Sequence, residues 1–164
     1  MVTSSATTTT TTTTTTPMTR KEAETALLEA VRGSTPAKVR RCIDRLGDIE
    51  GGDVNARGFG DVTPLHAAAW RGDPAIVQAL LDAGASTDAV DAESGFSPLH
   101  RAFHFGALRA AAVLLANGAS LTSPLDVAGR SPVDVLSCKL RHLLPRPSVG
   151  VVGGGGGGGG GNGH

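Results

Sequence analysis

Apolar positions along the chain recur at helical spacing, in short blocks separated by glycine and by proline placed just after a hydroxyl or acidic residue. Ile76, Val77, Leu80 and Leu81 fall at offsets of one, four and five, which predicts a helix with a single apolar stripe. Ala111, Val113, Leu114 and Leu115 predict a second such helix with a smaller stripe, and Val39, Cys42, Ile43 and Leu46, at offsets of three, four and seven, a third. Leu27, Leu28 and Val31 mark an earlier helix, opened by Thr19 with Glu22 three residues on and closed at Gly33. Ser34-Thr35-Pro36 opens the Val39 helix, and Gly47 ends it. The spacing puts Cys42 on the buried stripe, as a small core residue. A last helix after Ser131 carries Val133, Val135, Leu136 and Leu140 and should stop before Pro145, because the residue preceding proline disfavours helix. With no second helix after it, that helix should leave apolar surface open.

These blocks repeat. Thr63-Pro64-Leu65-His66 returns 34 positions later as Ser97-Pro98-Leu99-His100, and after a further 34, weakened, as Ser131-Pro132-Val133-Asp134. Gly72 is matched by Gly106, Leu80-Leu81 by Leu114-Leu115, and Gly84-Ala85-Ser86 by Gly118-Ala119-Ser120. A period in the 30s implies a solenoid whose units bury apolar faces on their neighbours. Within a unit, Thr63 or Ser97 caps the free N–H groups of the first helix, the proline takes the first helical position where no donor is missed, and Gly72 or Gly106 closes it. His66 and His100 stand where a capping box has Glu or Gln, so their expected task is to lock the turn. Asp73-Pro74 opens the second helix in the same way. The array should hold about three full units and a half unit.

At this point the residues resemble ankyrin repeats. The tract from Asp53 to Ala85, DVNARGFGDVTPLHAAAWRGDPAIVQALLDAGA, follows that pattern almost throughout, and the likeness is good again from Gly95 to Ser120, fair from Gly129 to Ser137 and inferential from Thr19 to Gly47. The resemblance implies an all-α solenoid of helix-turn-helix units with extended turn connections. Gly60 stands three residues before Thr63, where the family usually spaces two, and Asp91 to Gly95 looks one residue long, so the finger-like turns should differ in shape. Ser123-Pro124-Leu125-Asp126 departs from the family's usual opening and leaves the last connection's geometry open. The segments SPLHRAFHFGALRAAAVLLANGASL and GRSPVDVLS are similar to the N-terminal ankyrin portion of proteins that continue into a propeller of the regulator-of-chromosome-condensation type, including relatives of the inhibitor of Bruton tyrosine kinase. Where those continue, this chain reads VGVVGGGGGGGGGNGH, which leaves a fragment, a truncated gene product and a stand-alone descendant open.

Composition narrows the function. The chain has 15 basic and 15 acidic residues, and all of them except Arg146 lie between Met18 and Pro145, so no strong field favours bulk binding to nucleic acid or an anionic membrane. The threonine run Thr7 to Thr16 and the glycine run Gly153 to Gly161 cannot build a core. The organisation expected is a disordered Thr-rich tail over 1–17, the repeat domain over 18–145 and a disordered Gly-rich tail over 146–164. The threonines suit a spacer or a phosphorylated or glycosylated tract, and the hydroxyl-rich, acid-free N-terminus faintly resembles an organellar transit peptide. The C-terminal glycines lack the strand, the Lys-Ser/Thr pair and the helix of a phosphate cradle. Cys42 and Cys138 stand far apart, which suits reduced thiols in a cytoplasmic or nuclear protein. The best apolar run, Ala107 to Ala116, is short and carries Arg109, so a soluble monomer is expected, with no membrane span.

The resemblance further implies protein binding through turn tips and the exposed side of the first helices. The positions there that vary between units are Phe59, Asp61 and Val62 on the first turn, Trp70 and Arg71 on its helix, Glu93 and Phe96 on the next turn, and Arg101, His104 and Phe105 on the next helix. Four of the five aromatics fall in this set, beside two arginines, and these residue types dominate binding hot spots. The competing expectation is that some rings pack between adjacent turns. Phe103, which replaces the usual small alanine, is expected in the core. No catalytic residue, cofactor or metal is expected, because His66 and His100 already have structural tasks and no nucleophile with an orienting acid accompanies them. The alternative function is an electrostatic dock for RNA or an acidic partner on Lys38, Arg40, Arg41 and Arg45, joined by Lys139, Arg141, His142 and Arg146, although Asp44, Asp48 and Glu50 dilute the first cluster.

Overall fold

A computed structural model describes residues 18–143. Among them are seven α-helices: α1 (Arg20–Gly33), α2 (Pro36–Gly47), α3 (Pro64–Arg71), α4 (Pro74–Asp82), α5 (Pro98–Phe105), α6 (Leu108–Ala116) and α7 (Pro132–Leu143), with a 3₁₀ turn over Phe59–Asp61. The expected tails over 1–17 and 146–164 lie outside the described residues, as do Pro145 and Arg146.

The helices form two rows. In the first, α1 packs on α3, α3 on α5 and α5 on α7; in the second, α2 packs on α4 and α4 on α6. Leu27, Leu65, Ile76, Leu80, Leu99 and Leu114 are fully buried between the rows and between units. Each neighbour thus supplies the apolar wall that a lone helix pair lacks. Phe103 joins this core, as its place on the helix predicts. Two stripes differ in detail from their sequence reading. Ala110 is buried beside Ala111 and Leu114, whereas Val113 and Leu115 are only half-buried; Cys42 is likewise half-buried against the core. Val135 of α7 is buried, and Leu140 is left 47% exposed, in line with an open apolar end.

Capping follows the predicted residues. Thr19 and Glu22 form a reciprocal box, Thr35 accepts from Lys38 N–H, and Asp73 accepts from Ala75 and Ile76 N–H. Gly72 and Gly106 close α3 and α5 in the left-handed conformation, at φ 78° and 73°, where a β-carbon is strained.

The extended connections make three fingers. The first closes with Gly58 N–H donating to Val62 O and the third with Asp126 N–H donating to Arg130 O, whereas the second closes from Asp91 N–H to Phe96 O, one residue longer. The first finger takes up its unusual glycine spacing in the 3₁₀ turn, where Gly60 and Asp61 both have positive φ. Successive fingers join edge to edge: Ala92 N–H donates to Gly60 O, and Val127 N–H donates to Ser94 O.

Candidate functional site

The turn histidines fasten the units. Thr63 N–H donates to Nδ1 of His66 over 3.2 Å, and Nε2 of His66 lies 2.8 Å from Phe96 O in the next finger. A carbonyl only accepts, so Nε2 carries the proton and the ring is neutral with both nitrogens engaged. His100 repeats the arrangement with Ser97 N–H and Arg130 O. Burial pushes the pKa of His66 down to about 4, and the Phe96 carbonyl opposes this only in part. In the third turn Asp134 stands in place of histidine and accepts from Ser131 N–H and its hydroxyl, with no acceptor required beyond it.

Arg71 and Arg101, both expected at the binding face, have internal partners. Arg71 donates to Val31 O and Ser34 O at the end of α1, pinning the first unit to the second. Arg101 grips the buried carboxylate of Asp91 through Nε (3.2 Å) and Nη2 (2.9 Å). Burial alone would raise the Asp91 pKa; the Ser94 N–H and the Arg101 guanidinium outweigh it and hold the carboxyl below its usual range. In the third finger Asp126 is held down in the same way, burial being outweighed by Arg130 and by backbone N–H donors.

Trp70 and Phe105 meet edge to face with ring centroids 6.1 Å apart, and they remain 49% and 51% exposed. With Val62, Ala67, Arg32 and Arg101 they line an open groove of about 530 Å³. Four of the predicted residues, Val62, Trp70, Arg101 and Phe105, are therefore brought together in one hollow. His104 packs edge-on to Phe105 at 4.9 Å and tilts against Phe96. Phe96 itself lies half-buried and stacked on His100 at 5.4 Å, the ring-between-turns packing that competes with a binding role. Phe59, 94% exposed, projects from the first finger, and beside it Asp61 pairs with Arg57 at 3.8 Å. Glu93 is exposed at the second finger's tip, away from the groove lining. Sequence reasoning missed Arg32, which comes from the weakly repetitive first unit and so has no aligned position to mark it.

The two basic clusters do not merge. Lys38, Arg40, Arg41 and Arg45 lie on α2, at the start of the second row, and Lys139 and Arg141 on α7, at the far end of the first. Arg40 borders a hollow that also contains Asp44 and Asp82, and the Lys139 ammonium donates to His104 O. The side chain of His142 and all of Arg146 lie outside the described residues. Among the described residues, no helix is long and apolar enough to cross a membrane, and no group of three or more His, Cys, Asp or Glu could hold a metal ion.

Comparison with known proteins agrees with the repeat. The chain is 34% identical over 114 residues to neurogenic locus notch homolog protein 4 of Homo sapiens, covering 62% of this chain and 6% of that protein. It is 32% identical over 127 residues to the B-cell lymphoma 3 protein homolog of Mus musculus, covering 76% and 27% respectively. It is 36% identical over 93 residues to palmitoyltransferase Hip14 of Drosophila melanogaster, covering 57% and 14%. The chain thus spans little more than a quarter of the longest-covered of these relatives. A family model described as ankyrin repeats, in three copies, matches residues 27–124. That span holds the units whose turns are fastened through His66 and His100, and on this agreement the chain belongs to the ankyrin-repeat family.

Proposed function

We propose that this chain is a non-catalytic protein-interaction module, an adaptor or scaffold, whose partner docks on the groove of Trp70 and Phe105 and on the adjoining finger tips. Ankyrin repeats are generally protein-binding modules. The observation that supports this particular face is the half-exposed Trp70–Phe105 pair: two large rings that a core would cover meet edge to face in the lining of an open groove. Phe59, Asp61, Val62, Glu93 and His104 extend the surface around it, whereas Arg71, Phe96 and Arg101 serve it by fixing the turns and helices that carry the rings. The folded unit proposed spans residues 18–145, and the two free thiols, Cys42 half-buried and Cys138 exposed, suit the cytoplasm or nucleus. The likeness to ankyrin portions that precede a propeller rests on Ser97 to Leu121 and Gly129 to Ser137 alone and adds no partner. Catalysis is not proposed, because the ring nitrogens of both His66 and His100 are occupied within the fold.

Affinity capture with the full chain beside a Trp70→Ala, Phe105→Ala variant tests this, with circular dichroism confirming that both are folded. A defined protein lost from the folded double variant supports the groove. An identical set of captured proteins refutes it, and salt-released RNA recovered equally by both would move the function to α2.

A further inference from the structure

We infer that the groove takes an extended, acidic peptide segment, with a bulky apolar side chain seated against Trp70 and Phe105 and a carboxylate beside it facing Arg32. This inference rests on the groove reading above and adds the chemistry of the partner.

The charge around the rings is unbalanced. Arg101 is neutralised by the buried carboxylate of Asp91. Arg32 has no ion pair among the described residues, and Arg71 donates to two neutral carbonyls, Val31 O and Ser34 O, which leave its positive charge uncancelled. Arg71 sits against the C-terminal end of α1, outside the groove lining, and Arg32 is the charge that borders the groove at that end. The groove lining includes no carboxylate and its one unpaired charge is Arg32, while Glu24 and Glu29 border the adjoining hollow on the other side of Arg32. A buried apolar anchor next to a carboxylate matches both parts, whereas a basic segment would meet like charge in a partly desolvated slot.

The direction of the groove sets the form of the ligand. Its lining comes from three successive first-row helices, Arg32 from α1, Ala67 and Trp70 from α3, and Arg101 and Phe105 from α5. Packed helices stand roughly 8–10 Å apart, so a ligand crossing all three spans roughly 20 Å. At about 3.3 Å per residue, about six residues of extended chain cover that distance.

The test is selection from a phage-displayed library of random octapeptides on the full chain, on Arg32→Glu, and on Trp70→Ala, Phe105→Ala. Each chain is checked for folding by circular dichroism. The expected result is enrichment on the wild-type chain of a bulky apolar residue with Asp or Glu within two positions. On Arg32→Glu the acidic preference should disappear while the apolar preference stays, and a synthetic peptide of the wild-type consensus should bind about tenfold more weakly at low salt, a gap that narrows as added salt screens the exposed charges. Selection that depends on Trp70 and Phe105 but shows no acidic preference overturns this inference and leaves the groove standing. Selection indifferent to the aromatic double substitution, or no enrichment on the folded wild-type chain, overturns both.

Discussion

Lowering the pH from 7 to 5 should weaken this fold through one buried ring, and His66→Gln should remove that sensitivity. His66 is fully buried, its Nδ1 accepts the Thr63 N–H, and its Nε2–H donates to Phe96 O. A second proton on Nδ1 would break the Thr63 N–H bond, leave only the Thr63 hydroxyl, 2.8 Å away, to accept it, and place a charge in the core. The pKa accordingly falls from 6.5 to about 4 on folding. A depressed histidine binds fewer protons folded than unfolded between those values, so its stabilisation is complete above 6.5 and is lost as pH falls toward 4. At about 1.36 kcal/mol for each pH unit the full loss is about 3 kcal/mol, of which about 2 kcal/mol is reached by pH 5. The carboxyls of Asp91, Asp126 and Asp134 are held below 3.8 and Glu22 below 4.5, so their own losses begin under this window. With a urea slope of about 1–3 kcal/mol per molar, the midpoint should drop by about 1 M between pH 7 and pH 5. Glutamine at position 66 can still accept from Thr63 N–H and carries no titrating group. Its urea midpoint, followed by circular dichroism at half-unit pH steps, should fall by about 1 M less than that of the wild type over the same range. Parallel curves for the two proteins would refute the reasoning, since they would mean that the buried ring does not titrate between its folded and unfolded values.

Arg101→Ala should destabilise the fold by about 3 kcal/mol in urea denaturation, because it leaves Asp91 buried and unpaired, and adding Asp91→Asn should restore part of that loss. Gly95→Ala should cost about 2 kcal/mol by thermal melting: the residue sits at φ +65°, and a β-carbon there would lie 3.1 Å from Val127 N, whose bond to Ser94 O ties the second finger to the third. Leu114→Ala should cost about 2–5 kcal/mol, since this fully buried side chain has close-packed neighbours that relax only in part.

The helices and their caps were readable from the sequence because each depends on residues close together in the chain. Thr19 with Glu22, Thr35-Pro36 and Asp73-Pro74 all start helices where their order predicts, and the 34-residue period makes α3 and α5 equivalent helices of successive units, which pack on each other. What could not be read was where side chains go when their partners lie beyond their own helix or turn. Arg71 and Arg101 have the composition of a hot spot, yet one reaches back to carbonyls of α1 and the other down to Asp91, partners 37 to 40 and 10 residues away respectively. Phe96, expected on the second finger's binding surface, is half-buried and stacked on His100. The Trp70–Phe105 pair could be anticipated because both residues are last-turn positions of equivalent helices, and stacking units bring such positions together. Arg32 could not, since the first unit's divergence hides its register.

The histidine turns have a direction. His66 depends on a carbonyl of the second finger and His100 on one of the third, while Asp134 is satisfied by Ser131 within its own turn. Damage should therefore travel toward the N-terminus. If the third finger detaches, His100 loses its acceptor and becomes a buried donor without a partner, which loosens the second turn and then exposes the same weakness at His66. Melting of the N-terminal helix pair breaks no histidine contact at all. As far as the histidine turns are concerned, a partner or a stress acting on the third finger would reach further along the array than one acting on α1, which is tied to the second unit through Arg71 instead.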